Sequence, residues 1–129
     1  MVYVLDTHAI VWFLEKSPRL SSTARDVMLD PMAELVIPAI ALLEIKFLYA
    51  RGRIASAYED IRRDIIDSGN CVIYPVDEQI VSLTPTTLNI HDAIIVATTL
   101  VYRDVLNSPS ALITKDRAIH SSGLVDCIW

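Results

Sequence analysis

The chain has no apolar run long enough to cross a membrane, no basic leader and only two cysteines. A membrane-spanning helix needs about 18 uninterrupted apolar residues. Glu44, Lys46 and Asp92 break the longest candidates. The opening Met1-Val2-Tyr3-Val4-Leu5-Asp6 lacks a positive n-region and meets an acid at residue 6, which speaks against a secretory signal peptide. Cys71 and Cys127 lie in apolar stretches with neither metal-ligand spacing nor a disulfide framework, so reduced core cysteines are expected. Together these absences predict a soluble, cytoplasmic protein without a membrane partner. Basic charge is also scarce. There are 11 Lys and Arg against 16 Asp and Glu, a net charge of −5, which argues against a long basic DNA-binding groove. No internal repeat, linker or low-complexity segment is visible.

What is present is apolar mass. The 129 residues fit a single domain, residues 1–129. The apolar fraction of 53% exceeds the roughly 45–50% usual for soluble domains. Subunit interfaces absorb such an excess, so a homodimer is expected.

Strand-like runs alternate with helical ones. Val2–Leu5 reads as a buried strand ending at Asp6, with Thr7 as cap of an almost wholly apolar helix over Ala9–Lys16. Ser21 or Ser22 opens a second helix that stops before Pro31. Leu35–Ile37 is a strand, followed by a helix from Ala39 to Arg51 with Gly52 as its stop. Ser56-Ala57-Tyr58-Glu59 has a capping-box pattern for a helix ending near Gly69. Cys71–Pro75 is a strand, and Asp77 caps a short helix. Asp92 starts an apolar helix reaching about Val105. Ala111–Thr114, a turn of helix over Asp116–His120 and a strand over Leu124–Ile128 close the chain. The alternation predicts an α/β three-layer sandwich, a central parallel sheet with helices on both faces.

In open parallel sheets ligands bind beyond the carboxyl ends of the strands. Asp6 directly follows one strand, Asp116 follows another after Lys115, and Asp92 opens a helix that should start at the same edge. Glu44 lies within an apolar helix, where an acid is costly unless paired or bound to a cation. It therefore either snorkels outward or faces a site. Four converging carboxylates raise one another's pKa values, and a divalent cation relieves the repulsion. Oxygen-only ligation favours Mg²⁺ or Mn²⁺, ions suited to phosphodiester hydrolysis. The net charge is no obstacle. The 16 acids less these four leave 12 against 11 bases.

Asp6-Thr7-His8 after a strand, Leu43-Glu44-Ile45-Lys46 on a helix, His91-Asp92-Ala93 opening an apolar helix and Thr114-Lys115-Asp116 near the C-terminus resemble a PIN-domain nuclease. The branch they resemble is that of the VapC-like toxins of toxin–antitoxin pairs. The stretch Lys46-Phe47-Leu48-Tyr49-Ala50-Arg51-Gly52-Arg53-Ile54 and the terminal Trp129 fit the same branch. The resemblance spans essentially the whole chain. It implies cleavage of RNA with Mg²⁺ or Mn²⁺, homodimerisation and inhibition by a cognate antitoxin. It also implies that Asp6, Glu44, Asp92 and Asp116 are the metal-binding, catalytic acids, with Thr7 and Thr114 as supporting hydroxyls. Lys46 is a further candidate, for an RNA phosphate. The chain departs from the branch after the third acid, where Ala93-Ile94-Ile95 stands in place of a frequent Pro or acid. A fifth acid is thus not implied, and one ion or two stays open.

Each residue also has a plainer reading. Asp6 could form an Asx turn, Asp92 a helix cap and Asp116 a turn. His8 and His91 could pack or bond solvent, and His120 is expected at the surface. Arg51 and Arg53 suit a helix C-terminus. Trp12 and Phe13 suit the core or a dimer interface. Two rival functions use the same residues differently. One is a phosphoryl-accepting signalling domain, with Asp77 as acceptor and Thr114 and Lys115 as switch residues. The other is a catalytically inactive binding module.

Overall fold

Val2, Val4 and Leu5 are buried although they alternate between the two faces of a strand. Such a strand must lie inside a sheet covered on both sides. The computed structural model describes residues 1–129 and places it there. The first strand, β1 (Val2–Leu5), leads into α1 (Thr7–Leu14) and α2 (Ser22–Leu29). Next come β2 (Glu34–Pro38), α3 (Ala39–Ala50), α4 (Tyr58–Ser68) and β3 (Cys71–Tyr74). The second half runs through α5 (Glu78–Leu83), α6 (Ile90–Leu100), β4 (Ser110–Ile113), α7 (Arg117–Ser122) and β5 (Cys127–Ile128).

The five strands are all parallel, in the order β3-β2-β1-β4-β5. Consecutive strands step outward from β1 to β3, and the chain then returns to lay β4 on the other side of β1. Val2 pairs with Glu34 of β2 and with Ser110 of β4. The strand order therefore reverses between β1 and β4. That switch point opens a crevice at the carboxyl edge, where ligands bind in sheets of this kind.

Period-2 alternation divides the core. Leu5, Leu35, Ile37 and Ile113 face α1, α2, α4 and part of α3, where Ile10, Met28, Ile45 and Ile61 pack. Val4, Val36 and Leu112 face the opposite layer of α6 and α7, against Ile95, Val96 and Ile119. The predicted three-layer α/β sandwich is thus the observed one. No helix is long and apolar enough to cross a membrane.

The element ends differ from the sequence reading in instructive ways. Asp6 itself caps α1, so Thr7 is the first helical residue rather than the cap. Ala57, with no side-chain cap bond, precedes α4, and the Ser56 capping box does not form. α6 begins two residues before Asp92, capped by Asn89. Beyond Leu100 the helix widens into a π-helical turn over Val101–Val105, closed by the Leu106 amide donating to the Val101 carbonyl at 3.0 Å. Gly52, at φ +69°, follows the end of α3 in the left-handed conformation that glycine adopts without strain.

Candidate active site

Asp6 stands at the carboxyl end of β1 and is only 6% exposed. One carboxylate oxygen, Oδ1, accepts from the Thr7 amide at 2.6 Å, and Oδ2 accepts from the Thr114 hydroxyl at 2.5 Å. Thr114 follows β4, the strand beside β1, and is buried. Its Oγ1 also accepts from the Asp116 amide at 3.0 Å. One hydroxyl thus joins the first acid to the backbone of the last. Asp116 turns into α7 by accepting from the Ile119 amide at 2.9 Å.

Glu44 faces the site. Its Oε1 accepts from the Thr7 hydroxyl at 3.0 Å, and its Oε2 lies 3.7 Å from His91 Nδ1. α3 lies against α1 and α6 here, and that packing turns Glu44 inward. Asp92 sits in the first turn of α6 and exchanges two bonds with Asn89. Asn89 Nδ2 donates to Asp92 Oδ2 at 2.5 Å, and the Asp92 amide donates to Asn89 Oδ1 at 3.0 Å. The pair caps the helix reciprocally, with the Asn89 side-chain amide in place of the backbone N–H that a capping box uses.

Asp6, Glu44 and Asp92 are each shifted upward by burial and by a neighbouring acid. Burial raises the Asp6 carboxyl above its ordinary value, the Thr114 and Thr7 bonds oppose the rise, and the nearby Asp116 charge adds to it. Burial also raises Glu44, against the Thr7 bond and His91, with a further push from Asp6. Asp92 is raised by burial and then by Asp116, opposed by Asn89, with Asp6 contributing again. Clustered acids with elevated pKa in a cleft mark a functional site more often than a structural one.

The donor set suits a hard divalent cation: four carboxylates, no thiolate, and a mutual repulsion that such an ion relieves. As arranged here, no three Asp, Glu, His or Cys groups close into a cage around one point. Each carboxylate is instead tied to a protein donor, which is where an acid turns when its counter-charge comes from hydrogen bonds.

Other candidates lie elsewhere. Lys46 is two residues past Glu44, about 200° around the helix. Its Nζ stands 5.4 Å from the Tyr58 ring centroid, so α3 does not bring it to the acids. Asp77 caps α5 by accepting from the Ile80 amide at 2.9 Å and from the Tyr74 hydroxyl at 3.4 Å. It follows β3, at the far edge of the sheet from β4 and so from Thr114 and Lys115. That separation removes the phosphoryl-acceptor arrangement. Two residues that support the site escaped the sequence reading. Asn89 was signalled by the Asn-x-x-Asp spacing. His120 is surface-exposed as expected, but its Nε2 also lies 2.7 Å from the Thr114 carbonyl oxygen. Only the fold reveals that contact.

Fold and site together define a parallel α/β domain with a carboxylate cluster at its switch point. The sequence matches the PIN domain model over residues 3–122, and the chain belongs to the PIN domain family. Solved structures share the fold. A chain of the Rickettsia felis VapBC2 complex, bound to a promoter DNA fragment, has a TM-score of 0.68 at 13% identity, covering 100% of this chain and 99% of that one. A chain of FitAB bound to an IR36 DNA fragment gives 0.66 at 16% identity, covering 98% and 94%. VapBC-1 from nontypeable Haemophilus influenzae gives 0.64 at 22% identity, covering 99% and 97%. No curated protein sequence matches the chain significantly.

Proposed function

We propose that the chain, as one catalytic domain over residues 1–129, is a metal-dependent endoribonuclease and the toxin of a toxin–antitoxin pair. The observation that carries this reading is the placement of four acids from four separate segments at one sheet edge, three of them raised by burial and by neighbouring acids. Asp6, Glu44, Asp92 and Asp116 would hold Mg²⁺ or Mn²⁺. When bound, such an ion polarises a phosphoryl oxygen and acidifies water. The protein's own part is positioning. Thr114 fixes the Asp6 carboxylate, Thr7 fixes Glu44, and Asn89 fixes Asp92. Burial around Asp6 excludes bulk water and strengthens the Thr114 bond.

The likeness to VapBC and FitAB complexes supports an antitoxin partner in the cytoplasm. A mostly apolar cleft of about 220 Å³ between α1, α2 and α4 offers such a partner a seat. The exposed Val76, Val81 and Ile90 around α5 and the start of α6 suit a second copy of the chain.

The test is cleavage of a mixed RNA pool with Mn²⁺, Mg²⁺ or EDTA, wild type beside Asp92→Asn. Metal-dependent products absent from the variant are expected. Folded, partner-free protein that binds Mn²⁺ yet leaves every RNA intact would replace the nuclease with a binding module.

A further inference from the structure

A cleft of about 440 Å³ lies beside the acids rather than over them. It falls within the roughly 300–1,000 Å³ typical of small-molecule sites. Its wall is a stripe of α3, Leu43, Glu44, Phe47, Leu48 and Arg51, faced by His91 of α6. The spacing puts these residues on one side of the helix, rising about 10 Å from Glu44 to Arg51. Glu44 belongs both to this wall and to the acid cluster, so the cleft continues the site.

Two of its residues take no part in the core or in any ion pair with a carboxylate. Phe47 is 53% exposed and belongs to none of the core clusters. Arg51 is exposed and forms no ion pair with any carboxylate. Its guanidinium stands 5.6 Å from the Phe47 ring centroid. A half-exposed aromatic ring with a planar cation over it is the kind of surface on which unpaired bases stack. Half the lining is polar or charged, which suits an amphipathic base better than an apolar helix.

We propose that this cleft is a nucleobase subsite. Phe47 stacks one unpaired base of the RNA strand flanking the scissile phosphodiester, and Arg51 binds a phosphate of that nucleotide. The subsite rests on the nuclease reading and extends it. The enzyme would take single-stranded or looped RNA, because a base within a duplex cannot enter the cleft.

The test uses the full chain, saturating Mn²⁺ and a fluorogenic single-stranded RNA oligonucleotide. A second oligonucleotide series carries one abasic position at a time. Phe47→Ala is expected to raise KM by about 5- to 150-fold with kcat little changed, and Phe47→Trp to restore it. Arg51→Ala should raise KM and lower the salt dependence of log KM by about one phosphate's worth. One abasic position should raise KM in wild type and have no further effect in Phe47→Ala. An unchanged KM in both variants overturns the proposal and leaves the cleft to a protein partner. So does a Phe47→Ala variant that loses kcat instead, or abasic effects that remain fully additive. If wild type cleaves no RNA, fluorescence anisotropy with the same oligonucleotides decides. Binding lost in both variants upholds the subsite while the nuclease reading fails, and absence of binding ends both.

Discussion

Thr114→Val isolates the hydroxyl that holds the site together. The side chain is completely buried and valine nearly matches its volume, so the change removes little besides Oγ1. Two bonds go with it: the 2.5 Å bond donated to Asp6 Oδ2 and the 3.0 Å bond accepted from the Asp116 amide. A hydrogen bond to a charged group is worth about 1.5–3 kcal/mol, and a neutral one about 1. A loss of about 2–4 kcal/mol is therefore expected near neutral pH, read from urea unfolding of the metal-free protein. The loss should shrink on acidification, because the stronger bond is made to the ionised Asp6. The same bond opposes the upward push of burial on the Asp6 carboxyl. Removing it therefore raises that pKa further. The acid limb of kcat/KM should move to higher pH, in the same direction. A destabilised variant whose acid limb stays in place would refute this account, since Thr114 would then be structural and Asp6 would not control the limb.

Asp6→Asn should abolish cleavage and the Mn²⁺-induced rise in Tm, yet raise the Tm of the metal-free protein at pH 7.5, because burial disfavours the charge it removes. A lower metal-free Tm with the Mn²⁺ response intact would count against it. Asp6, Glu44 and Asp92 all have raised pKa values, so the folded protein holds their protons more tightly than the unfolded chain does. Their stabilising contribution is complete below about pH 4 and is lost as pH rises through the elevated folded values. Metal-free wild type should therefore lose stability relative to Asp6→Asn between about pH 4 and neutrality, and Mn²⁺ should restore it; parallel pH profiles would refute the coupling. Asn89→Ala should cost about 1 kcal/mol as a lost helix cap and also lower Mn²⁺ affinity, measured by calorimetry. Asp77→Ala should cost a similar amount of stability with cleavage unchanged, and a loss of activity there would revive a role for that acid.

The sheet was legible because its strands are short and apolar and the first four are each followed by a helical period. Asp6 and Asp116 were legible because an acid just past a buried strand has few other places to be. Glu44 was not decidable from sequence, since α3 is apolar nearly all round and gives no preferred face. Its contacts with Thr7 and His91, across elements, settle the direction. The start of α6 was misread because Asn89 and Asp92 bond each other reciprocally, so either could be the cap from local pattern alone. Ser56 has the right spacing for a capping box, but the chain enters α4 one residue later, and propensity yields to packing there. The link from His120 to the Thr114 carbonyl depends on how α7 folds back on β4, which no local rule encodes.

The choice of partners around the acids carries the last step. Not one of the four is paired with a Lys or Arg; the basic neighbours are histidines, His91 Nδ1 at 3.7 Å from Glu44 and His8 near Asp6 and Glu44. Lys115 and Arg117 flank Asp116 in sequence, yet the Lys115 Nζ lies over the Trp12 ring instead, 5.8 Å from its centroid. A permanent guanidinium would lower the carboxylate pKa values and stabilise the fold. It would also compete with any ion that came to the site. Hydroxyls and amides orient the oxygens without neutralising them. Asp6, Glu44 and Asp92 are thereby left with raised pKa values and no permanent counter-charge, at the place where the strand order reverses. A fold selected only for stability has no reason to keep that arrangement, whereas a site whose counter-charge must be exchangeable requires it.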